Sequence, residues 1–164
     1  MLIRDAIDTD FEQILGLNQE SVHFLSPLSM DGLRRLHGDA TYHRVVEIDG
    51  CVAAFLLALS EGAAYQSVNY QWFVAHYTQF LYVDRVVVAS SRQGLGLGRV
   101  LYEDLFALAR DRAIPRITAE FDVEPPNEAS RRFHERFGFV EIARQTIRDG
   151  KKRVSLQVAE LSTP

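Results

Sequence analysis

Cysteine is nearly absent: Cys51 is the only one in 164 residues, so no disulfide can form within the chain. The first residues also lack a basic stretch followed by an apolar core, the mark of a secretory signal peptide. Together these absences predict a reducing, cytoplasmic setting. Cys51 follows a predicted turn in a strand, where a cysteine is more often a small buried hydrophobe than a nucleophile, so it is assigned no chemistry.

Long apolar runs and an excess of positive charge are missing too. The most apolar run, residues 51–60, is too short to cross a bilayer and is followed by Glu61. Asp and Glu number 22 against 18 Lys and Arg, and the formal net charge of −4 argues against bulk electrostatic binding to nucleic acid or an anionic membrane. We therefore predict no nucleic-acid and no membrane partner.

The sequence also lacks histidines at the spacing of metal ligands. The histidines considered share no such spacing with one another or with Cys51, so we predict no metal site. They are His23, His37, His43 and His76.

The chain does contain enough apolar material for a globular core. Hydrophobic residues make up 47% of the sequence and include ten phenylalanines. The length suits a single domain, and no internal repeat, linker or low-complexity segment is visible. We therefore predict one domain over residues 1–164.

Apolar periodicity predicts alternating strands and helices. Residues 42–48 and 51–59 flank Asp49 and Gly50, the dipeptide favoured in a two-residue hairpin turn, and so predict an antiparallel pair. Residues 61–79 carry three of the six tyrosines and the only tryptophan but have no clean period, which predicts a long aromatic excursion. Further strands are predicted at 2–7, 80–88 and 116–123, helices at 9–21 (capped by Asp8), 29–38, 97–110 and 128–137, and a hairpin over 139–161 that turns at Asp149 and Gly150.

Three glycines, Gly94, Gly96 and Gly98, stand between a β-type run and a helical pattern. Glycines at this spacing let the backbone approach a ligand closely. The helix that follows would point unpaired N–H groups and a positive dipole end at that ligand. We therefore predict that an anion, and specifically a phosphate, binds at this turn.

Two common phosphate motifs do not fit this turn. No Gly-Lys-Ser or Gly-Lys-Thr follows the glycines, which excludes a Walker-type loop. A dinucleotide fingerprint is suggested by the strand, glycines and helix, with Glu120 at a suitable distance for a ribose. The glycines, however, are spaced G-x-G-x-G, and residues 89–93 separate them from the strand. A nucleotide-dependent oxidoreductase is therefore the weaker alternative.

The turn also matches the pattern Q/R-x-x-G-x-G/A through Gln93, Gly96 and Gly98. With this motif the chain resembles the GNAT family of N-acetyltransferases, over nearly its whole length. A second stretch, NEASRRFHERFGF, is similar to the family pattern Asn-x-x-Ala-x-x-x-Tyr-x-x-x-Gly-Phe, beginning at Asn127 and ending at Phe139. Two motifs in the right order are more specific than either alone.

The resemblance implies an α/β (α+β) fold, with a mixed, mostly antiparallel sheet flanked by helices. It implies an N-acetyltransferase that moves an acetyl group from acetyl-CoA to a primary amine by direct attack in a ternary complex. The acceptor is a small-molecule amine or a protein or peptide amine, and both a monomer and a homodimer are left open. A non-catalytic acyl-CoA-sensing module of the same fold is the main alternative.

The resemblance also assigns residues to acetyl-CoA. The glycine turn would hold its pyrophosphate, and the strand before the turn would offer main chain to the pantetheine arm. The residues so implied are Val86, Val88, Arg92, Gln93, Gly94, Gly96, Gly98, Arg99 and Asn127. The alternatives are a turn that only packs, a solvated Arg99 and an Asn127 that caps a helix.

Three further assignments concern the acceptor and proton transfer. Asp84 interrupts the apolar strand and is a candidate general base, with a structural pairing to Arg85 as the alternative. His134 occupies the family's tyrosine position and is a candidate general acid, placed on one helical stripe with Asn127 while Phe133 and Phe137 turn to the core. An exposed helix histidine is the alternative. Tyr70 and Trp72 are predicted to line the acceptor site, with core packing as the alternative.

Overall fold

The protein is described by a computed structural model that covers residues 1–23 and 25–161. These residues form seven strands and five α-helices. Their bounds are β1 Leu2–Asp5, α1 Phe11–Glu20, α2 Met30–Asp39, β2 Tyr42–Ile48, β3 Cys51–Ser60, α3 Val68–His76, β4 Leu81–Val88, α4 Leu97–Asp111, β5 Arg116–Glu124, α5 Glu128–Arg136, β6 Val140–Ile147 and β7 Lys152–Glu160.

The strands form one sheet in the order β1-β2-β3-β4-β5-β7-β6. The pairs β1 with β2, β2 with β3, β5 with β7 and β6 with β7 are antiparallel, whereas β4 and β5 are parallel. This confirms the predicted fold class, a mixed and mostly antiparallel sheet with flanking helices. Within residues 1–23 and 25–161, no helix combines the length and the apolar character needed to cross a membrane.

The first of two compact units comprises Met1–Leu59 and Asp84–Leu108. Its core contains Ile14 from α1, Leu33 from α2 and Phe55 from β3, all fully buried. The hairpin between β2 and β3 turns as predicted, because Asp49 and Gly50 adopt φ values of 52° and 77°. Such left-handed residues match the twist of a two-residue hairpin.

The second unit comprises Ser60–Val83 and the described residues from Ala109 onward. Tyr70 and Phe73 of α3 pack with Phe80 and with Tyr82 of β4, at ring centroid separations of 5.5 to 6.2 Å. The predicted hairpin between β6 and β7 is present. β4 contributes residues to both units, since Leu81–Val83 belong to the second and Asp84–Val88 to the first.

Three local predictions differ from the structure. Part of the predicted aromatic excursion is a helix, α3, in which apolar residues occur on nearly every side, so that no helical period is visible in the sequence. Asp8 starts a short 3-10 turn that precedes α1, and it does not cap α1 by its side chain. Cys51 is exposed, because it is the first residue of β3 beside the turn.

Candidate functional site

The glycine turn in the first unit has a backbone that other residues adopt with difficulty. Gly94 and Gly96 have φ values of 82° and 76°, in the left-handed region that favours glycine. A Cβ atom at either position would meet no heavy atom of the protein within 4 Å. A side chain there would therefore project into open space, and without one a ligand can approach the backbone of the turn closely. Gly98 lies in the first turn of α4.

The start of α4 supplies donors to the same place. The first bond within this helix runs from the amide of Val100 to the carbonyl of Gly96, at 3.0 Å. The amides of Leu97, Gly98 and Arg99 precede that bond and belong to the first turn, whose N–H groups have no partner within a helix. With the positive end of the helix dipole, they form a suitable environment for a phosphate.

The polar side chains around the turn are partly or fully exposed. Arg92 is partly exposed, with Nη2 3.8 Å from the carboxylate of Asp49. Gln93 is exposed. Arg99 is 73% exposed and donates from Nε to Glu103 at 2.7 Å, one helical turn along α4. An exposed pair of this kind contributes little, which agrees with the alternative of a solvated Arg99.

The main chain of β4 has a short parallel pairing. β4 has eight residues, yet its described pairs with β5 are only Leu81 with Ile117 and Tyr82 with Thr118. Val86 and Val88 lie beyond the last of these pairs and are half-buried. Their main-chain N–H and C=O groups are therefore not used by the described pairing of β4 with β5. Hydrogen bonding to an extended ligand requires main-chain groups that the sheet does not use in this way.

Asp84 lies on β4 in a buried ion pair. Its Oδ2 is 2.7 Å from Nε of Arg85, and the two side chains are 4% and 3% exposed, respectively. The hydrogen bond from a guanidinium fixes the orientation of the carboxylate. This geometry matches the structural pairing with Arg85, which the sequence predicts as the alternative to a catalytic role for Asp84.

Asn127, in the second unit, caps α5. Its Oδ1 accepts a hydrogen bond from the amide of Ser130 at 3.3 Å, and its carbonyl accepts one from the amide of Arg131 at 3.0 Å. The capping interpretation of Asn127 is therefore confirmed. Capping occupies the side-chain oxygen and leaves the amide nitrogen of the side chain as a possible donor to a ligand.

His134 is buried on α5. Its Nδ1 is 2.7 Å from the carbonyl oxygen of Ser130, so Nδ1 carries a proton and donates it, and the neutral ring has its lone pair at Nε2. The rings of Phe121, Phe133 and Phe139 lie 5.1 to 5.6 Å from its centroid. Burial lowers the pKa of His134 below its usual 6.5, although the hydrogen bond to Ser130 opposes this effect. The neutral form is favoured, whereas a general acid must be protonated.

The aromatic neighbours of His134 are arranged differently from the prediction. Phe133 and Phe137 are only half-buried and pack on each other with ring centroids 5.2 Å apart. His134 is the buried member of the group, at 5% exposure. Phe133 and Phe137 therefore do not turn to the core as predicted, because His134 takes the buried position against Phe121 and Phe139. The residue that fixes the ring, Ser130, stands where the family pattern has alanine, and that departure was the signal available in the sequence.

The two residues predicted to line the acceptor site lie on α3 in different surroundings. Tyr70 is 0% exposed, and its hydroxyl donates to the carbonyl of Ser60 at 2.6 Å and accepts from the amide of Ala63 at 3.1 Å. These contacts support the packing alternative for Tyr70. Trp72 is half-buried and stacks on His76 at a centroid separation of 3.7 Å. Only Trp72 therefore presents ring surface to a ligand.

Among residues 1–23 and 25–161, no three or more His, Cys, Asp or Glu side chains are grouped to bind a metal ion. Arg85 and Asn18, which the sequence analysis did not assign to any site, form a buried network with Asp84 in the first unit. An asparagine in the middle of an apolar helical stripe was the sequence signal for Asn18.

Several acetyltransferases of known structure have the same fold. The ribosomal-protein-S18-alanine N-acetyltransferase from Escherichia coli has a TM-score of 0.75 and 18% identity, covering 99% of this chain and 95% of that one. Ard1 from Thermoplasma volcanium has a TM-score of 0.81 and 16% identity, covering 98% and 97%. The NatC complex bound to Gag peptide and CoA contains a chain with a TM-score of 0.74 and 17% identity, covering 98% of both. At these identities the likeness shows the fold.

The sequence itself identifies the family. No curated protein sequence matches the chain. A profile described as the Acetyltransferase (GNAT) family, however, matches residues 4–139, most of the 164 residues. That span includes the glycine turn, both candidate proton-transfer residues and the Gly138 and Phe139 that end the second motif. The chain therefore belongs to the GNAT family of acetyltransferases.

Proposed function

We propose that this protein transfers an acetyl group from acetyl-CoA to a primary amine by direct attack in a ternary complex. Family membership supports acetyltransferase activity in general. The observation that carries the donor assignment is the glycine turn, where two glycines with positive φ and open space at their Cβ positions directly precede the first amides of α4. This geometry suits the diphosphate of acetyl-CoA.

Each part of the donor has a proposed partner in the chain. Gly94, Gly96 and Gly98 receive the diphosphate through backbone amides, with Arg92, Gln93 and Arg99 at the edge of the turn. Val86 and Val88 offer main-chain groups to the pantetheine arm, because the described β4 and β5 pairing does not use them. Asn127 is proposed to donate from its side-chain amide while it caps α5.

The reaction forms one N–C bond and breaks one C–S bond. The amine nitrogen attacks the thioester carbonyl and loses a proton, and the departing thiolate of CoA gains one. Asp84 is the proposed acceptor of the amine proton, directly or through water. The role of His134 as donor to the thiolate stays a prediction, and the neutral ring held by Ser130 opposes it. Water is the remaining proton source.

The acceptor is proposed to be a small-molecule amine or the amine of a protein or peptide. The Escherichia coli neighbour acts, by its name, on an alanine of a ribosomal protein, which makes peptides with an N-terminal alanine a reasonable member of a test panel. Trp72 is the proposed contact for the acceptor, since its ring is half-exposed.

A second candidate function is favoured by the burial of both proton-transfer residues. Asp84 is buried in an ion pair with Arg85, and burial lowers the pKa of His134 and so disfavours its protonated form, so neither arrangement favours proton transfer. A non-catalytic acyl-CoA sensor would need the glycine turn alone. This alternative predicts tight binding of acetyl-CoA without turnover.

The experiment that tests the proposal is turnover with a panel of primary amines and alanine-starting peptides, followed by the release of CoA thiol. We expect acetyl-CoA to bind and at least one amine to be acetylated, with the product confirmed by mass. Binding without turnover of any acceptor would support the sensing function. Failure to bind acetyl-CoA at all would contradict both.

A further inference from the structure

Arg85, a residue of β4, carries a buried guanidinium that the proposed chemical steps do not use. Arg85 donates from Nε to Asp84 at 2.7 Å and from Nη1 to Oδ1 of Asn18, on α1, at 2.9 Å. Its other nitrogen, Nη2, is 3.3 Å from the hydroxyl of Ser26. Because an isolated buried charge is unfavourable, each of these partners helps to keep Arg85 in place.

The Ser26 segment, residues 25–29, connects to α2 and is fixed by the same network. The carbonyl of Ser26 accepts from Nδ2 of Asn18 at 3.2 Å and from Nη1 of Arg85 at 3.4 Å. Both oxygens of Ser26 are therefore in the network. Ser26 is its exposed member, whereas Asp84, Arg85 and Asn18 have buried side chains.

Because the guanidinium of Arg85 is planar and rigid, its hydrogen bond to Asp84 and its hydrogen bond to Ser26 depend on each other. One edge of Arg85 holds the carboxylate of Asp84, and the adjacent edge holds Ser26, so the two are separated by one rigid group. A movement of the Ser26 segment changes the hydrogen bonding of Arg85 and, through it, of Asp84. A lysine would donate from one nitrogen and lacks the fork that reaches both ends.

We propose that Arg85 is a positioning residue for the acceptor half of the reaction, fixing the carboxylate of Asp84 and docking the Ser26 segment at the same time. The inference rests on the proposed function, in which Asp84 accepts the amine proton. The proposed contacts of acetyl-CoA are with other residues, and Arg85 is bonded to the proposed base Asp84, so we expect its contribution to fall on the amine.

The first test compares Arg85→Lys with the wild type, using the best amine of the panel. Hydrogen bonds to a charged group are strong enough that their loss should lower kcat/KM for the amine by about tenfold or more, while KM for acetyl-CoA stays within about twofold. Ser26→Ala removes only the hydroxyl contact of an exposed residue, and we expect a smaller fall, of about threefold, in kcat/KM for the amine.

The matched control is Arg44→Met. Arg44 is also an ion-paired arginine of the first unit, held by Asp104 and Asp5, but it has no bond to the Asp84 network. If Arg85→Lys and Arg44→Met lower the melting temperature alike and neither changes the amine kinetics, Arg85 is only structural and the proposal is wrong.

A second readout does not need activity. Hydrogen exchange of residues 25–29 should be about tenfold faster in Arg85→Lys than in the wild type, with exchange in β2 unchanged. Unchanged exchange in the segment would overturn the docking role even in an active enzyme. If no amine is acetylated but exchange accelerates as expected, the proposed function fails while the link between Arg85 and the segment stands.

Discussion

Gly96 offers the sharpest single-residue test of donor binding. Gly96→Val should weaken acetyl-CoA binding by at least about tenfold, because the new side chain would project into the space before the first amides of α4. The measurement is a calorimetric titration with acetyl-CoA. Affinity equal to that of the wild type would contradict the diphosphate assignment.

Gly50→Val is the matched control for that experiment. Gly50 has a φ of 77°, against 76° for Gly96, and it too has no heavy atom within 4 Å of a Cβ position. Both variants should therefore lose similar stability from backbone strain, about 1 kcal/mol or more. Only Gly96→Val should lose acetyl-CoA affinity.

His134 is tested by the pH dependence of turnover. A general acid at this position would lose activity as pH rises past the pKa of the imidazole, and His134→Tyr would extend activity to higher pH. Burial lowers that pKa, so we expect His134 to be neutral throughout the working range. The alkaline limb of the profile should therefore be the same in the wild type and in His134→Tyr. An alkaline limb that moves upward in His134→Tyr would restore the general-acid role.

At the scale of secondary-structure elements, α2 is joined to β2 by a pair of histidines. Nδ1 of His37 is 2.8 Å from Nδ1 of His43, so one ring donates and the other accepts. Burial and the proximity of His37 lower the pKa of His43 from 6.5 to about 4. The unfolded chain therefore binds more protons between about pH 4 and 6.5, and stability falls as pH decreases through that window.

The expected loss through this window is up to about 3 kcal/mol of unfolding free energy. It is measured by urea unfolding at several pH values. His43→Phe should reduce the slope, since a phenyl ring does not titrate, and the exposed His23→Gln is the control that should leave it unchanged. An unaltered slope in His43→Phe would assign the pH dependence to other groups.

The two aromatic residues of α3 should respond differently to substitution. Tyr70→Phe removes a hydroxyl that makes two partly buried hydrogen bonds, and we expect a loss of about 1 to 3 kcal/mol in stability with unchanged acceptor kinetics. Trp72→Ala, at a half-exposed position, should cost less stability and raise KM for the amine. If melting and kinetic measurements showed the reverse, Tyr70 would be the contact for the acceptor and Trp72 the packing residue.

Local chemistry explains which elements could be predicted. The dipeptides at 49–50 and 149–150 specify tight turns through left-handed backbone, and both hairpins are present. Ser29 and Asn127 cap α2 and α5 as their residue types suggest. α3 could not be predicted, since its few polar positions do not separate a buried face from an exposed one.

The candidate site was predictable where backbone chemistry decides it. Gly94 and Gly96 have the left-handed conformations that make glycine necessary. The roles of side chains were harder to predict, because they depend on contacts between residues that are distant in sequence. The bond between Arg85 and Asn18 spans 67 positions, and the inward orientation of His134 depends on Phe121 of β5.

For the whole molecule, ligand-induced stabilisation distinguishes the classes of function. A ligand at 100 times its dissociation constant adds about 2.7 kcal/mol to the free energy of unfolding. We expect acetyl-CoA to raise the melting temperature and NADH to leave it unchanged. Stabilisation by NADH alone would contradict the acyl-CoA assignment.

The division of the chain into two interleaved units affects the order in which they can be completed during synthesis. The first unit needs Met1–Leu59 and Asp84–Leu108, whereas the second needs Ser60–Val83 and the chain from Ala109 onward. On a ribosome, every segment of the first unit has been translated at residue 108, before any residue of β5, α5, β6 or β7 exists. Within Ser60–Val83 the rings of Tyr70, Phe73, Phe80 and Tyr82 can already pack on one another, but the segment completes its unit only once the chain from Ala109 onward has been made, so we expect it to be open to mispairing or to chaperones until then.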